Sequence, residues 1–255
     1  MPQTLTLGRM CDIRVRVHIS WIAVYAFVTY VLADGLSAVL PRPQAYLVGA
    51  ACALALFASV VAHELAHALV ARRFGVRTDA ITLFLFGGVA LFDEEPATPR
   101  SDALIALAGP ALSGALALVA VAALIVLDRF AAGPRAELPA LLVAYLAVAN
   151  GVLAVFNLLP AYPMDGGRVL RALLWRRDGD LRRATQLASR VGIGFALAFI
   201  VGGLGVVAAT HEPVYAWYAV LGGFLLRQGW VQERATRAPG SVAVERRDVE
   251  VGAAA

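Results

Sequence analysis

Long apolar blocks separated by short polar stretches run through most of the sequence, five of them clear and a sixth marginal. A helix that crosses a bilayer needs roughly 20 mostly apolar residues. The first block is short but gains length if it begins at Val15. The last block is also short, and Tyr215, Trp217 and Tyr218 at its start suit the aromatic belt of a membrane interface. The pattern predicts six transmembrane helices, at Ile19–Leu32, Tyr46–Val70, Ala103–Leu127, Leu138–Leu159, Val191–Ala209 and Val214–Leu226.

Composition supports a membrane protein. Of the 255 residues, 60% are apolar and 16% are charged, whereas about a quarter of the residues in a typical soluble domain are charged. The apolar surplus lies in blocks, so one large soluble core does not account for it. The two cysteines, Cys11 and Cys52, lie far apart in unlike settings. The sequence therefore predicts neither a disulfide framework nor a cysteine metal site.

The basic residues orient the predicted helices. All 22 are arginines, and cytoplasmic loops of membrane proteins carry the excess of such residues. With the N-terminus inside, 19 arginines fall on the inner side, and the outer loops hold three, Arg42, Arg129 and Arg135. This bias predicts cytoplasmic N- and C-termini in the plasma membrane and an even number of spans. It also accounts for the net charge of +4 without a nucleic-acid partner.

Two stretches lie outside the predicted spans. The segment Arg77–Phe92 is rich in Thr, Leu, Phe and Val, with Gly87 and Gly88 near its middle. It predicts a β-hairpin at the inner membrane surface, where the glycines mark a turn or a close backbone approach. A membrane domain of residues 1–230 is followed by a polar stretch, 231–255, that predicts a disordered cytoplasmic tail. The predicted fold class is an all-α polytopic membrane protein with about six transmembrane helices and a small membrane-associated β segment between helices 2 and 3.

Candidate chemistry lies in the second predicted span, in the stretch HELAH that runs from His63 to His67. Residues four apart share a helix face, so the two imidazoles can bind one metal ion together. Glu64 follows the first histidine and is placed to act as a general base toward a water molecule. Three ionisable groups within a membrane span are costly and are functional by default. The pattern predicts a zinc site rather than a polar cluster satisfied by neighbouring helices.

A catalytic zinc ion needs a third protein ligand, and three residues are candidates. His211 falls on the outer side of the predicted topology. His18 lies at the inner start of the first span, where a histidine is more often simply solvated. Asp165 is the better candidate, because it follows the fourth span on the same side of the membrane to which the second span brings His67.

The residues around Asp165 predict an irregular backbone. Pro160 and Pro163 interrupt the helix, and Gly166 and Gly167 are expected to let the chain turn sharply after the carboxylate. Irregular backbone at membrane depth is tolerated only where protein or water covers it. An Asp-Gly-Gly sequence alone would be read as an ordinary turn, and the intramembrane metal motif is what favours a ligand.

These motifs resemble those of a known family. HELAH in one span and NLLPAYPMDGGR, from Asn157 to Arg168, at the end of a later one are similar to the site-2 protease family of intramembrane zinc metalloproteases. They are closest in type to bacterial and archaeal members that lack a PDZ domain. The resemblance runs from about Gly8 to about Arg227. Three less specific stretches, VRVHISW, FLFGGVALF and AGPALSG, agree with it.

The resemblance implies a set of roles for named residues. One zinc ion per chain would be held by His63, His67 and Asp165, with Glu64 as the general base. Asn157 would lie beside the metal and hold the substrate backbone or the developing oxyanion.

The resemblance also implies how substrates bind and what they are. The segment at Gly87 and Gly88 would receive an extended substrate as an added strand. Substrates would be single-span transmembrane proteins cut within the lipid bilayer, as in regulated intramembrane proteolysis, and the oligomeric state stays open. Met164 stands where the family often has Leu, which is a volume-conserving change. Many relatives carry C-terminal nucleotide-binding CBS domains, which are not expected after Arg227 here.

Other functions have less support from the sequence. A transporter or channel with a structural zinc would use midplane polar groups and internal repeats; no such repeat is evident, and Glu64 would have no role. An inactive scaffold would not need all four expected active residues. A non-proteolytic zinc-dependent membrane hydrolase would share the metal ligands, and only the Asp-Gly motif and the strand-like segment favour a protease over it.

Overall fold

The computed structural model describes residues 4–84, 87–92, 95–130 and 134–237. The chain divides into two compact units, Met1–Asn157 and Leu158–Ala255. The elements of the first unit are β1 (Thr4–Met10), β2 (Ile13–His18), α1 (Ser20–Leu36), α2 (Arg42–Arg73), β3 (Thr78–Phe84), β4 (Gly87–Phe92), α3 (Pro99–Phe130) and α4 (Pro134–Asn157). Those of the second unit are α5 (Asp165–Asp178), α6 (Leu181–Thr210), a short 3₁₀ turn (Pro213–Tyr215) and α7 (Ala216–Arg237).

Four of the described helices are long and apolar enough to cross a membrane: α2, α3, α6 and the part of α4 at Glu137–Asn157. They correspond to the second, third, fourth and fifth predicted spans. Because these helices present large apolar side chains such as Leu118, 72% exposed, and Val148, 66% exposed, their outer faces suit a lipid environment. The apolar helix α1 has only 17 residues, and α7 is not among the four. Length and composition thus support four spans among the described helices, and the first and sixth predicted spans stay predictions.

The strands of the first unit form one sheet in the order β1-β2-β3-β4. The outer pairs are antiparallel and β2 pairs with β3 in parallel. Alternate residues of β2 are buried, because successive side chains of a strand point to opposite faces. The buried face of the sheet packs on α2 through an apolar cluster of Ile13, Val15, Val17, Val61, Ala68, Ile81 and Leu83.

This sheet corrects the predicted fold class. The hairpin of Arg77–Phe92 is confirmed as β3 and β4, while its turn lies outside the described residues. The sheet, however, also includes β1 and β2, which precede the first helix, so the fold is not all-α with a single β segment. The possible start of the first span at Val15 is wrong as well, because Val15 lies in the middle of β2 and α1 begins at Ser20.

The second unit is a helical hairpin preceded by a shorter helix. Gly179 ends α5 with φ of +70°, a conformation that glycine adopts at little cost. The Asp180 carboxylate then accepts a hydrogen bond from the Arg183 N–H at 3.0 Å and caps α6. α6 and α7 pack closely, since a Cβ added at Gly222 would lie 2.7 Å from the Ala196 carbonyl oxygen. α7 continues to Arg237, past the predicted domain boundary at 230, and residues 238–255 lie outside the described part.

Candidate metal centre

His63 and His67 lie one turn apart on α2, and both are 3% exposed. Their ring centroids are 4.9 Å apart and the rings are nearly perpendicular, at 75°. Glu64 lies between them in sequence and is partly buried. The structure therefore brings the two histidines together on one face of a helix that is long enough to cross a membrane, as their spacing predicts.

Each histidine is held by α3 through its Nδ1 atom. The His67 Nδ1 atom donates to the Ile105 carbonyl oxygen at 2.6 Å, and the His63 Nδ1 atom lies 2.9 Å from the Ser113 hydroxyl. A carbonyl oxygen only accepts, so the hydrogen-bonded His67 carries its proton on Nδ1. In the neutral ring the Nε2 atom then has the lone pair that binds metals.

The Nε2 atoms of both histidines converge on the backbone of α3 at Gly109. A Cβ atom added there would lie 2.5 Å from His63 Nε2 and closer still to His67 Nε2. Only a residue without a side chain leaves these nitrogens accessible to a common ligand. Two imidazole nitrogens of one helix, each oriented through Nδ1, are a donor pair that fits zinc.

Asp165 belongs to the second unit, where it is the first residue of α5. Pro160 and Pro163 lie in the non-helical segment between α4 and α5, as predicted. The predicted sharp turn after Asp165 is wrong, because Gly166 and Gly167 form the first turn of a helix. An added Cβ at either glycine would collide with the backbone of residues 158–162. These glycines therefore allow the preceding loop to fold back against the start of α5.

The remaining predicted residues lie at element ends. Asn157 is the last residue of α4, and its Nδ2 atom donates to the Leu153 carbonyl oxygen at 2.9 Å. Gly87 and Gly88 open β4 and pair with Phe84 and Leu83 of β3.

The two histidines that were weighed as alternative ligands have other local roles. His18 Nδ1 lies 2.8 Å from the Ser20 hydroxyl at the start of α1. His211 ends α6 in the left-handed conformation, with φ of +58°.

Sequence reasoning missed the contribution of α3. Ser113 and Gly109 lie in the stretch AGPALSG, which agreed with the family resemblance but suggested no role for either residue. The only signal available in the sequence was that stretch of small residues in an apolar span.

Comparisons with known proteins agree with this geometry. A model of the family described as Peptidase family M50 matches residues 51–133 and 131–201, more than half of the chain. The protein named "Putative zinc metalloprotease Rip3" of Mycobacterium tuberculosis is 42% identical over 229 residues, which cover 88% of this chain and 57% of Rip3. The zinc metalloprotease MJ0392 of Methanocaldococcus jannaschii is 39% identical over 149 residues, 58% of this chain and 41% of that protein.

A solved structure is also similar. It is a site-2 protease from Methanocaldococcus jannaschii, with a TM-score of 0.62 and 28% identity, and the match covers 90% of this chain and 95% of that one. The chain spans between two fifths and three fifths of the curated relatives it matches. The family match, together with the four apolar helices, makes this a multi-pass membrane protein. The chain belongs to peptidase family M50, the site-2 protease family.

Proposed function

We propose that this chain is an intramembrane zinc metalloprotease in which His63, His67 and Asp165 hold one zinc ion and Glu64 is the general base. The observation that carries the proposal is that the Nε2 atoms of two buried histidines converge at Gly109 of α3. The histidines belong to α2, which is long enough to cross a membrane. Ionisable groups at such depth are costly, which favours a functional role over a structural one. Membership of the M50 family supports the same conclusion.

The chain's own residues would divide the chemistry between them. When bound, zinc would polarise the scissile carbonyl and lower the pKa of water toward about 7. Glu64 would accept a proton from the attacking water and return it to the departing amine nitrogen. Asn157, at the end of α4, would donate a hydrogen bond to the substrate backbone or to the developing oxyanion.

Substrate would bind along β4. Among the described strands, β4 lies at one edge of the sheet and has β3 as its neighbour on the other side. A transmembrane helix protects its own peptide bonds by hydrogen bonding, so the segment to be cut must first unwind. An exposed strand edge supplies replacement backbone hydrogen bonds. The glycines at the start of β4 would allow the substrate backbone to approach closely.

The membrane topology is part of the proposal. α1 and α7 would complete six spans, and the arginine distribution would place both termini in the cytoplasm. His67 lies five residues before Arg72 on α2, so at about 1.5 Å per residue the zinc would lie only ~8–15 Å below the cytoplasmic surface. The substrates would be single-span transmembrane proteins of the same bilayer, and residues 238–255 would belong to a cytoplasmic tail.

Purified protein tests the proposal directly. The protein should hold about one zinc ion per chain and should cleave a single-span peptide substrate in lipid nanodiscs. Glu64→Gln should retain the zinc and lose cleavage, because the amide keeps the shape of the side chain but cannot accept a proton. Hydrolysis of lipid esters without any peptide cleavage would instead support a non-proteolytic hydrolase, and an active Glu64→Gln protein would assign the base to another residue.

A further inference from the structure

We infer that one face of α3, formed by Ile105, Gly109 and Ser113 and named here the α3 support face, positions the two histidines of α2 and so determines how tightly this chain binds zinc. The three residues are four apart and share one side of the helix. Ile105 contacts His67 through its carbonyl oxygen, and Ser113 contacts His63 through its hydroxyl group. Gly109 lacks the Cβ atom that would block the Nε2 atoms of both histidines. The inference rests on the proposed function only for the presence of zinc.

The carbonyl group acts on His67. Its hydrogen bond from Nδ1 is short, at 2.6 Å, and both residues are buried, with Ile105 at 0% exposure. The bond fixes both the tautomer and the ring orientation of His67, and no side-chain substitution at position 105 removes the carbonyl itself.

The hydroxyl group acts on His63 and is the part of the support face that mutation can remove. Ser113 is fully buried and lies 2.9 Å from His63 Nδ1. A hydroxyl can donate or accept, so Ser113 permits either tautomer of His63, and zinc at Nε2 would select the one protonated at Nδ1. Without the hydroxyl, His63 Nδ1 loses the hydrogen bond that helps to orient its ring. Loss of such an orienting partner typically costs about 10- to 100-fold in metal affinity.

Gly109 acts by lacking a side chain. The Cβ of an alanine would occupy the space that both Nε2 atoms face. Alanine has a higher helix propensity than glycine, so a weakened α3 does not explain a loss of zinc from Gly109→Ala. The expected cause of the loss is that the new methyl group occupies the space in front of the two Nε2 atoms.

Two matched controls separate positioning from general damage. Ser59→Ala removes a buried hydroxyl from α2, one turn before His63, where Ser59 bonds to Ala55 and Asn150 rather than to a histidine. Gly114→Ala adds a methyl group to α3 at a position where nothing lies within 4 Å of the new Cβ. Ser113→Thr keeps the hydroxyl and tests rescue.

The zinc dissociation constant of each full-length variant is measured in detergent by competition with a chelating indicator. The visible absorption spectrum of the cobalt-substituted protein reports the ligand geometry. We expect Ser113→Ala to bind zinc about 10- to 100-fold more weakly and to show an altered cobalt spectrum. Gly109→Ala should bind no zinc above background. Ser59→Ala and Gly114→Ala should bind zinc like the unsubstituted protein, and Ser113→Thr should bind it more tightly than Ser113→Ala.

Equal zinc affinity in Ser113→Ala and Ser59→Ala, with an unchanged cobalt spectrum, would overturn the inference, as would normal zinc binding by Gly109→Ala. If Gly109→Ala does not fold, the two serine variants decide the question alone. These measurements need no substrate. A chain that binds zinc as expected but cleaves no peptide would contradict the proposed function and leave the role of the α3 support face intact.

Discussion

Gly192 of α6 allows a sharp test of how the loop before Asp165 is held. A Cβ added at Gly192 would collide with the Tyr162 carbonyl oxygen and lie 2.9 Å from the Tyr162 nitrogen. Both contacts are with backbone atoms, which cannot move aside as a flexible side chain can. Gly194 lies two residues further along the same helix, is exposed, and has nothing within 4 Å of an added Cβ. We therefore expect Gly192→Ala and Gly194→Ala to differ although the chemical change is identical.

The size of the difference follows from these contacts. Both substitutions gain the helix preference of alanine over glycine, about 1 kcal/mol in water. Because both positions lie on α6 two residues apart, this gain cancels when the two variants are compared. What remains is the cost of overpacking at Gly192, which is typically about 1–3 kcal/mol. Gly192→Ala should therefore be less stable than Gly194→Ala by about that amount.

Thermal unfolding of the two variants in the same detergent measures the comparison, with zinc content determined on the same preparations. Tyr162 lies three residues before Asp165, so displacement of the loop should also weaken zinc binding if Asp165 is a ligand as proposed. Gly194→Ala should keep both stability and zinc. Equal stability of the two variants would show that α6 does not pack against Tyr162 as described, and the reasoning would be wrong.

Three further predictions address substrate binding, the metal and the topology. Gly88→Pro should sharply lower cleavage while zinc content stays normal, because proline removes a backbone donor from the proposed docking strand; normal cleavage by the folded, zinc-loaded variant would refute docking at this strand. Removing zinc with a strong chelator should abolish cleavage. It should also lower the free energy of unfolding by about 2.7 kcal/mol, compared with protein kept at a free zinc concentration 100 times the dissociation constant. Activity that survives chelation would exclude a zinc mechanism. Reporter fusions should indicate the cytoplasm after Phe92, after Arg177 and at the C-terminus, and the outside near Gly133 and Glu212; a C-terminus outside would remove the sixth span.

The features that could be predicted from the sequence are those that depend on spacing within one element. A four-residue interval puts His63 and His67 on the same side of any helix, so their juxtaposition on α2 needs no knowledge of neighbouring helices. The long apolar helices are equally local, because length and hydropathy alone define them. The hairpin of β3 and β4 was accessible for a similar reason, since its strands are joined by a short connection.

The features that were missed have more than one cause. Ile13, Val15 and Val17 alternate with polar residues as a strand requires, and β2 follows β1 after only two residues, so that hairpin was as local as the one formed by β3 and β4. The parallel pairing of β2 with β3, more than 60 residues later, is the part of the sheet that depends on a distant partner. The start of α5 was missed for a different reason. Glycine has a low helix propensity, so Gly166 and Gly167 suggested a turn. Their value lies instead in the close approach of the loop backbone, a tertiary contact that overrides local preference.

The contribution of α3 shows why a metal motif in a membrane cannot be understood from its ligands alone. Within lipid, each polar atom of a ligand side chain needs a protein partner, since water is largely absent. His63 obtains its partner from Ser113, and His67 obtains its partner from the Ile105 carbonyl. The backbone of α3 must also approach both Nε2 atoms without blocking them, and it can do so because residue 109 is a glycine. The residues that meet these demands are a serine, a glycine and a main-chain carbonyl, all of which are ordinary in transmembrane helices. Their importance therefore comes from the contact between two helices. If His63 and His67 bind zinc as proposed, the residues to mutate when altering zinc affinity without touching a ligand are on α3.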